Sequence, residues 1–205
     1  MEVANESIEL WGGDIDFDEL ADDIAVQARV ALALTKEIHE LDERLAVSLQ
    51  SLDPKGIMVS VSGVALVNGA QILARLGDPN RFRSLAGARS FSGLVPSLNS
   101  SGVNGHHGGP TKSGDAPLRE ALSMASQWAK RVVPTLAQRY HRLMVQVGKH
   151  HDSALCHVSA ILLTRIIACW RSGMPYVIHD IDGTVLAPQQ GRAIVQEPYH
   201  VQEDV

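Results

Sequence analysis

The sequence contains little cysteine and few aromatic residues. Of its 205 residues, two are cysteine and 4% are aromatic, whereas 45% are hydrophobic. Cys156 and Cys169 show neither CxxC nor Cys/His ligand spacing, and a reduced cytoplasm suits them best. The apolar residues are mostly Ala, Leu, Val and Ile, which favours packed helices over β-sandwiches. We therefore expect a mainly α fold in the cytoplasm.

Export and membrane signals are also lacking. The first 11 residues carry three glutamates where a signal peptide needs positive charge and an apolar run. The apolar stretch at 158–170 is interrupted by polar residues and is too short to cross a bilayer as a helix. The sequence predicts a buried core helix there and no membrane partner.

Basic residues are scarce at both ends of the chain, and acidic residues are scarce in its middle. Residues 1–54 hold three Lys/Arg and 14 Asp/Glu, whereas residues 55–175 hold 14 and four, a net charge of +10, and six histidines. Residues 176–205 hold one and five. A basic central segment suits a polyanion, because each cation placed on a phosphate releases counterions. DNA is the expected partner.

The amino-terminal part predicts a coiled coil. Residues 1–17 form an acidic leader that we expect to be disordered, and residues 18–53 read as one long helix. Apolar residues recur there at heptad spacing, with Gln27 and Ser48 as polar insertions in the seam. The seam positions are Ile24, Ala31, Leu34, Ile38, Leu41, Leu45 and Leu52. This pattern predicts a homo-oligomer formed through the helix.

Residues 54–175 predict a compact helical domain. Its first segment reads as a helix, a tight turn at Gly63 and a second helix, as in helix-hairpin-helix modules that present backbone N–H groups to DNA phosphates. A long glycine-rich loop is predicted at 93–114, and residues 176–205 as a carboxy-terminal tail. Further helices are predicted at 82–92, 118–133, 134–147 and 152–172.

Several motifs carry a family resemblance. In order they are Val61-Ser62-Gly63-Val64, Leu76-Gly77-Asp78 with Arg81-Phe82, Phe91 to Pro96, Ser100-Ser101-Gly102, Gly109 to Asp115, and Leu118-Arg119. Over about residues 18–176, their order and spacing resemble the carboxy-terminal domain of the bridge-RNA-guided insertion-element transposases, relatives of the Piv and MooV DNA invertases. The resemblance implies a transposase or DNA recombinase.

The resemblance also implies a division of labour. In that family an amino-terminal RuvC-like domain supplies four carboxylates for a divalent metal, and the carboxy-terminal domain supplies a nucleophilic serine. The short leader offers no counterpart of the first domain, so we expect a truncated transposase that is inactive alone. Mg²⁺ is expected only with the missing domain, and no cofactor in this chain. A bridge-type noncoding RNA is a further implied partner.

The Ser-Gly serine of the resemblance is Ser101, with Ser100 as the alternate because the pair is degenerate. A serine attacking a phosphodiester needs exposure, backbone freedom and nearby positive charge. In this sequence the loop glycines provide the backbone freedom, and four side chains could provide the positive charge. The glycines are Gly102, Gly109 and Gly114, and the cationic or phosphate-facing residues are Lys112, Arg119, His106 and His107. Residues 103–107 depart from the family, which commonly carries Lys or Arg there.

Other interpretations compete with the transposase. A non-catalytic DNA-binding or oligomerisation module would keep the basic segment and the coiled coil without strand transfer. Residues 180–185 match the first motif of haloacid-dehalogenase-like phosphatases, but only 20 residues follow, so a solvated turn between short extended segments is preferred. The histidine pairs lack the spacing of a zinc helix, and we predict no metal site. Trp128 and Trp170 are predicted to lie in the core.

Overall fold

A computed structural model describes residues 17–101, 104–110 and 113–199. Within these ranges the chain is mainly α-helical, as predicted, with eight α-helices and two antiparallel β-hairpins. The helices are α1 (Phe17–Leu52), α2 (Ile57–Ser60), α3 (Leu66–Leu76), α4 (Leu85–Phe91), α5 (Ala116–Ala129), α6 (Pro134–His141), α7 (His151–Ser172) and α8 (Pro188–Gln196). The strands are β1 (Pro96–Ser101), β2 (Asn104–Pro110), β3 (Ile178–His179) and β4 (Val185–Leu186).

The chain divides into two compact units, residues 1–44 and 45–205. In the first unit, α1 is continuous, which confirms the predicted long helix. Its apolar seam is open to solvent, with Ile24 58% and Ile38 57% exposed. The association of α1 into a coiled coil stays a prediction. Residues 1–16 of the predicted leader lie outside the described part of the chain.

Three helices build the core of the second unit. Helix α5 packs against both α3 and α7, because its apolar residues recur at helical spacing and form one stripe. The buried residues of that stripe are Leu118, Ala121, Leu122, Ala125, Ser126 and Ala129. Helix α7 is long and apolar enough to cross a membrane by length and composition. It has eight buried residues, among them Leu162, Leu163 and Ile166, as expected of the predicted core helix.

Two carboxylates hold helix ends in place. Asp53 is 4% exposed, and its two side-chain oxygens accept hydrogen bonds from the N–H groups of Ile57 (2.9 Å) and Met58 (2.7 Å) at the start of α2. Asp115 caps α5 by accepting from Leu118 N–H (2.8 Å), and its side chain pairs with Arg75 Nε of α3 at 3.3 Å. These bonds satisfy backbone donors that a helix start leaves open.

The predicted glycine-rich loop is wrong in part, because residues 96–101 and 104–110 pair as two antiparallel strands. Strands β1 and β2 pair antiparallel from Pro96 opposite Pro110 to Ser101 opposite Asn104. The register is irregular between Pro96 and Leu98, where one residue of β1 faces two residues of β2. An extra residue of this kind is a β-bulge. The sequence conceals the hairpin because its strands lack alternating apolar residues.

The predicted carboxy-terminal tail is also more ordered than expected. Strands β3 and β4 pair antiparallel, and α8 follows them, with Ile178 5% and Val195 8% exposed. Gly191 lies directly against the backbone carbonyl of Val132, where a side chain would have no room. The few apolar residues of this segment therefore suffice to dock it on the core. Residues 200–205 lie outside the described part of the chain.

Candidate nucleic-acid interface

The Gly63 turn joins two helices, as predicted, and is held by a small hydrogen-bond network. Gly63 has φ 84°, a left-handed conformation that favours glycine. Asn68 fixes the turn from both sides: its Oδ1 accepts from Ala65 N–H (2.6 Å) and its Nδ2 donates to the Gly63 carbonyl (3.0 Å). Ala65 and Val67 at the start of α3 are exposed, whereas Leu66 and Asn68 are half-buried. A rigid turn and an open helix amino terminus thus lie side by side.

The turn packs on the backbone of α5. A Cβ added to Gly63 would lie 2.8 Å from the Ala129 nitrogen and would overlap the Ala125 carbonyl oxygen. This close approach requires small residues at positions 125 and 129 of α5, and Trp128 lies on the outward face. The prediction of a core Trp128 is therefore wrong: the side chain is 57% exposed, with the Arg131 guanidinium 5.0 Å from its ring. Trp170, in contrast, packs against the core.

Gly93 and Gly114 form the base of the β1–β2 hairpin. Gly93 has φ 70°, and a Cβ added to it would lie 2.9 Å from the Gly114 nitrogen and 2.8 Å from Arg119 Nη1. The Asp115 N–H donates to the Phe91 carbonyl (2.8 Å), and Arg119 Nη1 donates to the Ser92 carbonyl at 3.4 Å. The two chain segments entering and leaving the hairpin are therefore clamped together at its base.

The candidate serines lie at the other end of the hairpin. Ser101 is the last residue of β1 and pairs with Asn104, and Ser100 pairs with Gly105. In β2, His106 pairs with Asn99 of β1 and His107 pairs with Leu98 of β1. The hairpin thus brings the predicted serines and histidines onto adjacent register positions. Gly109 also lies in β2. Gly102 and Lys112 lie outside the described residues.

Arg119 and Ser101 are placed at opposite ends of β1. The five residue steps from Pro96 to Ser101 span about 16 Å at ~3.3 Å per residue of strand, whereas Arg119 contacts the hairpin base. In this structure the arginine holds the base of the hairpin rather than the end that carries Ser101. The role of Arg119 in stabilising charge at Ser101 stays a prediction, and the contact that the structure shows for it is at the hairpin base.

The histidines outside the hairpin have individual roles. His151 lies between two polar side chains, with Nδ1 2.5 Å from Tyr140 Oη and Nε2 2.7 Å from Gln127 Nε2. The pKa of His157 is lowered from 6.5, mainly by burial and further by the nearby positive charges of Lys149 and Arg139. Within the described ranges no three His, Cys, Asp or Glu side chains come together as metal ligands. The described residues thus offer no fit for the divalent metal that the resemblance implies.

The phosphatase-like motif forms a hairpin turn. The Asp180 N–H donates to the Thr184 carbonyl (2.8 Å), and the Asp182 carboxylate accepts from the Thr184 N–H (2.9 Å). Hydrogen bonds from Thr184 lower the pKa of Asp182, which is fully exposed. Two-residue strands flank the turn, as the preferred interpretation predicts. The carboxylates serve the turn, and no α/β domain surrounds them in the described chain.

Sequence reasoning missed the polar face of α6 and the turn after it. Thr135, Gln138, Arg139 and Arg142 recur at three- and four-residue spacing, which places them on one helical face. A π-helical segment at Arg142–Gln146 continues that face. These residues line a cavity. The spacing of the two arginines was the available signal.

Comparison with known proteins identifies the domain. Residues 56–141 match the domain described as transposase of the IS116/IS110/IS902 family. The chain is 27% identical over 158 residues to a Streptomyces coelicolor protein named insertion element IS110 uncharacterized 43.6 kDa protein. That match covers 75% of this chain and 38% of the relative, so the chain spans well under half of the relative's length. Residues 56–141, which include both the Gly63 turn and the serine-bearing hairpin, are thus similar to a transposase domain of the IS116/IS110/IS902 family.

Proposed function

We propose that the second unit of this chain is a DNA-binding and DNA-recombining domain of a transposase. The observation that carries the proposal is the overlap of three features in residues 56–141. This segment matches the transposase family, holds nine Lys/Arg against three Asp/Glu, and contains both the Gly63 turn and the Ser101 hairpin. A positive excess of this size favours phosphate contacts.

The Gly63 turn is the proposed sequence-independent DNA contact. Asn68 keeps the turn in one conformation, so its backbone needs no reordering when a ligand arrives. The exposed amino terminus of α3 carries the positive end of the helix dipole. Backbone N–H groups and this dipole together suit a phosphate oxygen. The contact fixes the protein on the duplex and reads no bases.

Ser101 is the proposed nucleophile, with Ser100 as the alternate. Its Oγ would form a bond to a DNA phosphorus atom while the bond from phosphorus to one deoxyribose oxygen breaks. The serine hydroxyl loses its proton, and the departing oxygen gains one, so the step balances. Lys112, His106 and His107 are the proposed phosphate contacts. Arg119 has a positioning role at the hairpin base.

DNA is the proposed partner, with a bridge-type noncoding RNA as a second one. A RuvC-like domain is proposed to work with Ser101, and the Mg²⁺ that it binds belongs to that domain. The described residues hold no ligand set for a metal. The proposal places the protein in the cytoplasm without a membrane partner.

A second candidate function is a non-catalytic DNA-binding or oligomerisation module. The exposed apolar seam of α1 favours it, because a stripe of this length is normally covered by a partner helix. This module would bind DNA and self-associate without joining strands. Formation of a covalent protein–DNA adduct distinguishes the two functions, since only the transposase forms one.

Binding of the full chain to a duplex of random sequence, followed by fluorescence anisotropy, tests the DNA-binding function. The logarithm of the binding constant should fall linearly with the logarithm of salt concentration, by about 0.9 for each phosphate neutralised. Scrambled duplexes should bind alike, since phosphate contacts carry no base information. A chain that binds no duplex at low salt, or binds independently of salt, would refute the proposal.

A further inference from the structure

A cavity of about 650 Å³ lies on the polar face of α6, and its lining includes no residue of the Gly63 turn or of the β1–β2 hairpin. Helix α6 and the π-helical segment form one wall, Ile161 of α7 contributes from another side, and Tyr199 closes an edge. His141 and Tyr199 meet edge to face, with ring centroids 5.9 Å apart. The other lining residues are Thr135, Gln138, Arg139, Arg142 and Gln146.

Among the described residues, the cavity wall carries positive charge and no carboxylate. Arg139 and Arg142 line it, and none of its lining residues is a carboxylate. The Nε of Arg139 is buried and has no hydrogen-bond partner among the described residues. A buried donor of this kind costs free energy unless a ligand or water satisfies it.

The arrangement of donors suits a phosphate group. A guanidinium presents several N–H donors in a planar fork that matches phosphate oxygens. Residues 139 and 142 are three apart, so their side chains leave the helix on the same face. Gln138, Thr135 and Gln146 add neutral donors around them. The wider π-helical segment keeps Gln146 in the cavity wall, and such segments are frequent at functional sites.

We propose that this cavity binds one phosphate of a nucleic-acid backbone through Arg139 and Arg142. It would be a second anchoring point, distinct from the Gly63 turn and from the Ser101 hairpin. The proposal rests on the proposed nucleic-acid function, but it is independent of the serine chemistry. The shared chemistry is a phosphodiester, and its source is either duplex DNA or single-stranded RNA.

Three single variants of the full chain test the cavity: Arg139→Gln, Arg142→Gln and the control Arg83→Gln. Arg83 is exposed and does not line the cavity, so its change removes the same charge elsewhere. The affinity of each protein is measured for a duplex DNA and for a single-stranded RNA of equal length, over a range of salt. Circular dichroism checks that each variant is folded.

Each cavity variant should weaken binding of at least one polymer by roughly tenfold, as expected for a lost charged hydrogen bond. The salt slope should decrease by about 0.9 for DNA or about 0.7 for RNA. Arg83→Gln should change the affinity and the salt slope much less. The polymer that responds identifies the source of the phosphate. Arg139→Lys, which keeps the charge and loses the fork, should fall between wild type and Arg139→Gln.

A site-specific measurement removes dependence on folding of the variants. Phenylglyoxal modifies arginine, and mass spectrometry of the wild type should show bound polymer protecting Arg139 and Arg142 but not Arg83. Inorganic phosphate alone, assayed by thermal shift, reports a small-anion site. The proposal is overturned if the cavity variants bind both polymers like Arg83→Gln, or if only inorganic phosphate responds to them. A wild-type chain that binds neither polymer rejects the proposed function itself.

Discussion

Gly93 and Gly114 meet backbone to backbone at the base of the β1–β2 hairpin, with the Gly114 nitrogen 2.9 Å from where a Gly93 Cβ would lie. The pair brackets the segment that carries Ser100 and Ser101. Because neither residue has a side chain, the strands can leave and re-enter the helical core at one point. The position of the candidate nucleophile therefore depends on two glycines, which have no reactive side chain.

Gly114→Ala should destabilise the domain. The new Cβ would lie 2.5 Å from the Phe91 carbonyl oxygen and 2.6 Å from the Ser92 carbonyl carbon, and backbone cannot give way cheaply. We expect a loss of about 1–3 kcal/mol in the free energy of unfolding, as for overpacking elsewhere, measured by urea denaturation. Gly87→Ala is the control, because its Cβ would lie 3.6 Å from Ser84 Oγ inside α4. Equal stability of the two variants would contradict the clamp.

Asn68→Asp should weaken DNA binding while leaving the domain folded. The carboxylate keeps the acceptor for Ala65 N–H and suits the amino terminus of α3. It cannot donate to the Gly63 carbonyl as Asn68 Nδ2 does, and its charge repels a phosphate at the turn. Anisotropy with a duplex should show roughly a tenfold loss of affinity at low salt. Asn80→Asp makes the same chemical change at another exposed position. If the two variants lose affinity equally, the Gly63 turn is not a DNA contact.

Ile38→Asp should dissociate the oligomer formed through α1. Ile38 is 57% exposed in the single chain, and a charge in the middle of an apolar seam would remain buried in an associated helix pair. Sedimentation velocity should show an oligomer for the wild type and a monomer for the variant. Ala33→Asp adds the same charge outside the seam and should remain oligomeric. A monomeric wild type would reject the coiled coil.

His157 should make the stability of the second unit depend on pH. Its pKa is lowered from 6.5 in the folded chain, so the unfolded chain binds the proton more readily. The stabilisation is therefore fully present above pH 6.5 and is lost as the pH falls through the folded pKa. His157→Gln should flatten this part of the curve of unfolding free energy against pH. At pH ~8 residue 157 is neutral in both proteins, so the difference in their unfolding free energies there reports packing alone. If the two curves stay parallel below pH 6.5, His157 is not the group that makes stability depend on pH.

Features encoded over a few residues were predictable from the sequence. The apolar period of 18–52 and of 118–129 identifies helices α1 and α5, and Gly63 between two apolar runs identifies the turn. Gly183 similarly marks the hairpin turn after Asp180. In each case a local conformational preference and the packed structure agree.

Features that depend on distant contacts were not predictable. The strands at residues 96–101 and 104–110 have no alternation of polar and apolar side chains, and only their pairing makes them a hairpin. The tail docks because Gly191 can approach Val132 across the core. Trp128 faces outward because the turn around Gly63 occupies the inner face of α5. The cavity at Arg139 likewise needs Ile161 and Tyr199, which no local pattern links to it.

The most direct test of the central claim is covalent capture of DNA by Ser101. The full chain is mixed with the RuvC-like domain of a related transposase, its RNA, a divalent metal and a nicked suicide DNA, and a denaturing gel reports any protein–DNA adduct. We expect an adduct with the wild type, none with Ser101→Ala, and none with the chain alone. Loss in Ser100→Ala with retention in Ser101→Ala would move the nucleophile by one residue. An adduct formed by both alanine variants would contradict the serine assignment.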